Sequence, residues 1–103
     1  MIIKIIKRLF RTEVMYSDRP LFVAYVRKND PQSEKILSIL EEISEEDLGL
    51  KACSIDADDE PELLERLSIN SVPTVICLKN GKQKGRAELN TTKVELLEML
   101  NVK

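Results

Sequence analysis

The chain has 103 residues, 43% hydrophobic and 33% charged, with a formal net charge of −2, which suits one globular domain over 1–103. It has no histidine and no tryptophan, and its two cysteines, Cys53 and Cys77, stand 24 residues apart. This excludes histidine-based nucleophiles, the commonest zinc ligand and any C-x-x-C pair, so no metal and no cofactor is expected. The acidic balance with few aromatics also argues against a nucleic-acid partner.

Charge is unevenly distributed. Residues 1–11 carry Lys4, Lys7, Arg8 and Arg11 and no acid. Ile2, Ile5, Ile6 and Leu9 would share one face of a helix with these cations opposite. Such a basic amphipathic helix can lie, weakly at this length, on an anionic membrane surface. An edge strand over about Ile2–Ile6 running into a helix, with the cations solvated, is the other reading. Lys4 and Lys7 interrupt the apolar stretch, so no signal peptide is expected. No apolar run approaches the ~18 residues of a membrane span.

Leu21–Val26 is an unbroken apolar run rich in β-branched and aromatic residues, the signature of a strand buried on both faces. Asp30 and Pro31 then open a helix as cap and first residue, with Ile36, Leu37, Leu40 and Ile43 inward and Gly49 as its stop. Leu50–Ile55 reads as a second core strand. Asp58 or Asp59 caps a short helix carrying Leu63, Leu64 and Leu67. Val72–Leu78 is a strand with its proline near the start, where no ladder donor is needed. Asn80-Gly81 makes a type I′ turn into a partner strand over Gln83–Leu89. Thr92 and Glu95 form a capping box for a last helix with Val94, Leu97 and Leu100 or Met99 inward. Between Glu41 and Glu65 there are eleven acids and one base, Lys51, either a solvated face or a docking surface for a basic partner. The element order predicts an α/β fold, a central mixed sheet with helices on both faces.

Val72-Pro73-Thr74, the strand, Lys79-Asn80-Gly81, the second strand and the final amphipathic helix together resemble the C-terminal half of thioredoxin. Leu21–Val26 resembles the central strand of that family, Ile39–Ile43 its long helix and Ile55-Asp56 the end of the next strand, so the likeness covers about residues 20–101. It implies a thioredoxin-like fold with a cis Val72–Pro73 peptide bond. The family's W-C-G-P-C-K active site falls on Asn29–Glu34, which sets Asp30 at the attacking cysteine and Ser33 at the resolving one. The family's buried acid falls on Ala24. Leu89 lies near a position where the family uses glycine to admit a substrate strand.

A carboxylate and a hydroxyl cannot perform thiol–disulfide exchange, which needs a thiolate attacking sulfur. Asp30 is expected to act as a helix cap worth ~1 kcal/mol, and Ser33 to be a solvated first-turn hydroxyl. The two cysteines are expected as buried small hydrophobes, suited to a reducing cytoplasm. In the family's strand order one strand separates them by about 9–10 Å, too far to pair. The expectation is therefore a redox-inactive thioredoxin-like domain, not an enzyme. It would act as a protein-binding, chaperone or assembly module, holding a protein partner at Val26, Asp30, Val72, Pro73 and Leu89. The alternatives are a thiol enzyme using Cys53 or Cys77, and a membrane-surface adaptor working through residues 1–11.

Overall fold

A computed structural model describes residues 1–47, 49–88 and 90–101. In chain order the elements are β1 (Ile2–Lys4), α1 (Lys7–Phe10), a single π-helical turn (Arg11–Met15), β2 (Leu21–Val26), α2 (Pro31–Glu46), β3 (Lys51–Asp56), α3 (Pro61–Arg66), β4 (Thr74–Lys79), β5 (Lys82–Glu88) and α4 (Lys93–Met99). The strands form one mixed sheet in the order β1-β3-β2-β4-β5. β1, β3 and β2 run parallel, whereas β4 and β5 are antiparallel additions. Every residue of β2 is buried because the strand lies mid-sheet with helices on both faces.

The two sheet faces hold separate apolar layers. On one, Val23, Tyr25, Cys53, Ile55 and Ile76 pack with Ile5, Phe10, Val14 and Leu63 from α1, the π turn, α3 and their connections. On the other, Phe22, Ala24, Ala52, Val75 and Cys77 meet Ile36, Leu40 and Ile43 of α2 and Leu96 of α4. Ala24, where the resemblance sets the family's buried acid, is a fully buried part of this second layer.

Several local expectations change. The first residues form an edge strand, with Ile2, Ile3 and Lys4 in register with Ala52, Cys53 and Ser54, and helix begins only at Lys7. A continuous basic helix over residues 1–11 is therefore absent: pairing with β3 wins over amphipathic periodicity. α2 ends at Glu46 on an extended Asp47, whose carboxylate accepts the Gly49 N–H at 2.9 Å, so an Asx turn stops the helix. α3 has Glu60 at its N-cap and no side-chain cap, because Asp58 and Asp59 instead donate their N–H groups to the Asp56 carboxylate at 2.9 and 3.1 Å. In α4 the buried residue is Leu96, whereas Val94 is 64% exposed and Leu97 36%. The strand after the turn begins at Lys82, and Leu89, its expected end, lies outside the described residues.

The hairpin matches its turn chemistry, with Asn80 and Gly81 both at positive φ (53° and 77°). A Cβ at Gly81 would come within 2.9 Å of the Met15 carbonyl oxygen, so the turn packs against the end of the π turn. Between Cys77 and Leu78 the β4–β5 register shifts, with Cys77 opposite Gly85 and Leu78 opposite Gln83, a bulge that leaves Lys84 as the extra residue.

Candidate functional site

Two places carry the chemistry singled out from sequence: the start of α2, and the two thiols inside the sheet. At the first, Asp30 adopts extended backbone and its carboxylate accepts the Ser33 N–H at 3.2 Å. The Ser33 hydroxyl donates to the same oxygen at 2.7 Å and accepts the Arg27 N–H at 3.1 Å. Ser33 is 1% exposed, so it is a buried link joining the end of β2 to the first turn of α2 and not a solvated hydroxyl. Its proton is committed to Asp30 and its lone pair to Arg27, which leaves no free nucleophile.

Cations and acids alternate around this helix start. Arg27 Nε lies 3.2 Å from Asp58, and Lys28 Nζ lies 3.8 Å from both Asp56 and Asp59. Asn29 takes positive φ (59°), which turns the chain between the strand and its helix. A cavity of about 360 Å³ opens here, with Val26 and Leu37 as its apolar wall and Lys28, Ser33 and Glu34 as its polar one.

Val26 and the Asp30–Ser33 pair thus stand together. Thr74 is opposite Tyr25, so Pro73 follows at the end of β2 beside Val26. The Val72–Pro73 bond is cis, Pro73 is buried and Val72 half-buried. The Thr74 hydroxyl ties this loop by donating to the Ser71 carbonyl at 2.7 Å. Neither Val72 nor Pro73 lines the cavity, and Leu89 lies outside the described residues.

Both thiols are free and buried, and burial pushes each up to about 11. They face opposite sides of the sheet: Cys53 is level with Val23 and Cys77 with Phe22, adjacent residues of β2 that point apart. Their surroundings differ. Cys53 is flanked on its two neighbouring strands by Ile3 and Val23. Cys77 has Phe22 on one side and Gly85, with no side chain, on the other. Met99 of α4 fills the place a side chain at 85 would take; a Cβ there would lie 2.6 Å from Met99 Cγ and 2.8 Å from its Sδ. The thioether is thus the cover beside Cys77. Sequence reasoning missed this pair, although a lone glycine inside a strand run signals close approach by another group.

Among the described residues no group of three or more Cys, Asp or Glu side chains is placed to hold a metal ion. Nor is any helix among them long and apolar enough to cross a membrane.

Comparison with known proteins gives a consistent answer. The family model described as Thioredoxin matches residues 1–102. A thioredoxin from Rickettsia bellii (strain RML369-C) is 32% identical over 93 residues, 89% of each chain. A thioredoxin from Mycobacterium bovis (strain ATCC BAA-935 / AF2122/97) is 29% identical over 100 residues, 96% of this chain and 86% of that one. Thioredoxin M5, chloroplastic, of Oryza sativa subsp. japonica is 31% identical over 72 residues, 69% of this chain and 42% of that one. These relatives correct the expectation that the chain is not an enzyme. They carry the name of a thiol–disulfide oxidoreductase and point to redox catalysis.

Proposed function

Because this chain belongs to the thioredoxin family, we propose that it performs thioredoxin-type thiol–disulfide exchange with Cys77 as the reacting thiol. The observation that carries the choice of residue is the gap at Gly85, which leaves Cys77 covered by Met99 where Cys53 has side chains on both flanks. The start of α2 offers a carboxylate and a hydroxyl bonded to one another, so the sulfur comes from inside the sheet.

The chemistry sets the conditions. With a pKa of about 11, only about one thiol in ten thousand is ionised at pH 7, whereas an exposed cysteine near 8.5 is ionised to a few per cent. Displacing Met99 from Gly85 therefore raises reactivity through both access and thiolate fraction. The Cys77 thiolate then attacks a substrate disulfide R–S–S–R′, forming Cys77–S–S–R and releasing R′–S⁻. Cys53, on the other face of the sheet, cannot resolve that mixed disulfide. A small external thiol does so, restoring Cys77 and carrying away R as a new disulfide. Substrate protein is held at the surface of Val26, Asp30, Val72 and Pro73, of which Val26 lines the 360 Å³ cavity.

The test is reduction of a protein disulfide with dithiothreitol as the final reductant. The intact chain should exceed the uncatalysed rate, Cys77→Ala should return to it, and Cys53→Ala should retain turnover. Met99→Ala should turn over faster than the intact chain. Activity that survives Cys77→Ala and vanishes in Cys53→Ala would assign the reaction to the other thiol and overturn the argument from Gly85.

A further inference from the structure

On the sheet face away from Cys77, the π turn and α3 enclose a cavity of about 310 Å³ lined by Phe10, Arg11, Met15, Tyr16, Arg66 and Leu67. Its construction is specific. The Tyr16 N–H donates to the Arg11 carbonyl at 2.8 Å, an i→i+5 bond that closes the wide turn and stacks residue 16 over residue 11. Both therefore border the same opening. Phe10 is buried and Met15 and Leu67 are half-buried, giving an apolar floor, whereas Tyr16 stands 72% exposed as an aromatic wall. The β4–β5 turn braces the far end, with Gly81 against the Met15 backbone.

The charges on the rim are uncommitted. Among the described residues neither the Arg11 nor the Arg66 guanidinium makes a hydrogen bond or an ion pair. Arg66 acts on Glu62, one turn back along α3, but that carboxylate is already bonded to Lys7 at 2.5 Å. By contrast Arg27 is paired with Asp58, and Arg86 is spent on the Leu67 and Ser68 carbonyls at 2.6 and 2.9 Å. No acid lines the cavity. It thus offers two planar cations, an aromatic face and a thioether floor, with no negative charge of its own.

We propose that this cavity binds a small aromatic carboxylate, the ring lying on Tyr16 over Phe10, Met15 and Leu67, and the carboxylate between Arg11 and Arg66. The volume is at the low end of ligand cavities, enough for one ring with its acid arm. Guanidinium suits the carboxylate because its fork matches two oxygens at once. An aromatic ring suits the walls because they present a π face and a polarizable sulfur.

The experiment is a titration of the full isotope-labelled chain with 4-hydroxyphenylacetate, followed by amide chemical shifts, with 4-hydroxyphenylacetamide as the neutral counterpart. Shifts should be confined to residues 10–16 and 66–67. The amide should bind about tenfold more weakly or worse, as expected when a charge-assisted pair becomes a neutral contact. Arg11→Gln and Arg66→Gln, both at exposed positions, should each weaken the carboxylate and leave the amide unchanged. Equal binding of acid and amide would overturn the role of the arginines. Shifts centred on Val26–Asp56, or no saturable shift in the intact chain, would overturn the site. The amide comparison needs no variant, so a substitution that failed to fold would not shelter the proposal.

Discussion

Replacing Asp30 by alanine removes more than a helix cap, because the same carboxylate oxygen holds both the N–H and the hydroxyl of Ser33. Losing the cap costs about 0.5–2 kcal/mol. The Ser33 hydroxyl is buried, so losing its acceptor adds about 1–3 kcal/mol for an unmade bond. Asp30→Ala should therefore destabilise the chain by about 1.5–5 kcal/mol. With a urea dependence of about 1.5 kcal/mol/M, the midpoint moves down by about 2 M. Asp30→Asn keeps an acceptor oxygen and a favoured cap, and should lose less than about 1 kcal/mol. The assay is equilibrium urea unfolding followed by far-UV circular dichroism, reading midpoint and slope for all three chains. An Asp30→Ala midpoint within about 0.5 kcal/mol of the parent would refute the buried-link reading. Asp30→Asn as unstable as Asp30→Ala would show that negative charge at the helix start matters, and not the acceptor geometry.

Three further outcomes follow from the packing. Gly81→Ala combines a left-handed φ of 77° with a contact at 2.9 Å from the Met15 carbonyl; a calorimetric scan should show a loss of at least about 5 °C, beyond the cost of about 1 kcal/mol for the backbone alone. Gly85→Ala drives a Cβ into Met99, so the cost should shrink when Met99→Ala is added, and strictly additive costs in a double-mutant cycle would refute that contact. Stability should fall as pH rises from about 9 to 11. The unfolded thiols ionise near 9.0 and the folded ones only near 11, so the contribution is complete below 9 and lost through 11, at most about 2–3 kcal/mol per thiol. Burial raises the Tyr25 hydroxyl in the same sense, so an alkaline slope unchanged in Cys53→Ala/Cys77→Ala/Tyr25→Phe would count against this linkage.

Much of the frame was legible because short-range chemistry and the global fold agree. The run Leu21–Val26 can be satisfied only mid-sheet, Asp30-Pro31 only at a helix start, and Asn80-Gly81 only in a tight hairpin. The misses arise where tertiary contact decides. Val94 and Leu97 form as good an apolar stripe as Leu96 and Met99. What rotates α4 is the vacancy at Gly85, which Met99 enters. The π turn has no sequence signal, since Arg11–Met15 would serve equally in an ordinary helix. Ser33 reads as a solvated hydroxyl because the first turn of a helix is polar on average; in the fold it is buried, bonded to the Asp30 carboxylate and to the Arg27 N–H. The sequence offers a thiol enzyme using Cys53 or Cys77 only as an alternative and does not rank the two thiols, because the side chain that packs into the gap beside Cys77 belongs to Met99, 22 positions later.

The bulged outer strand has a consequence for how copies of this chain meet. β5 borders the sheet with one neighbour, β4, and so presents an unpaired row of peptide groups to solvent. A flat edge of that kind templates growth by strand addition from another molecule. Here Lys82, Lys84 and Arg86 line the border, Lys84 is the residue the register cannot accommodate, and the local twist it introduces breaks the straight run of donors and acceptors. A second copy brought alongside would meet like charge and a mismatched ladder together. The opposite border, β1, is only three residues long, a short edge of the kind that discourages strand addition. The same bulge that sets Cys77 against Gly85 thus also keeps the sheet finite, so concentrated samples should remain free of edge-to-edge fibres.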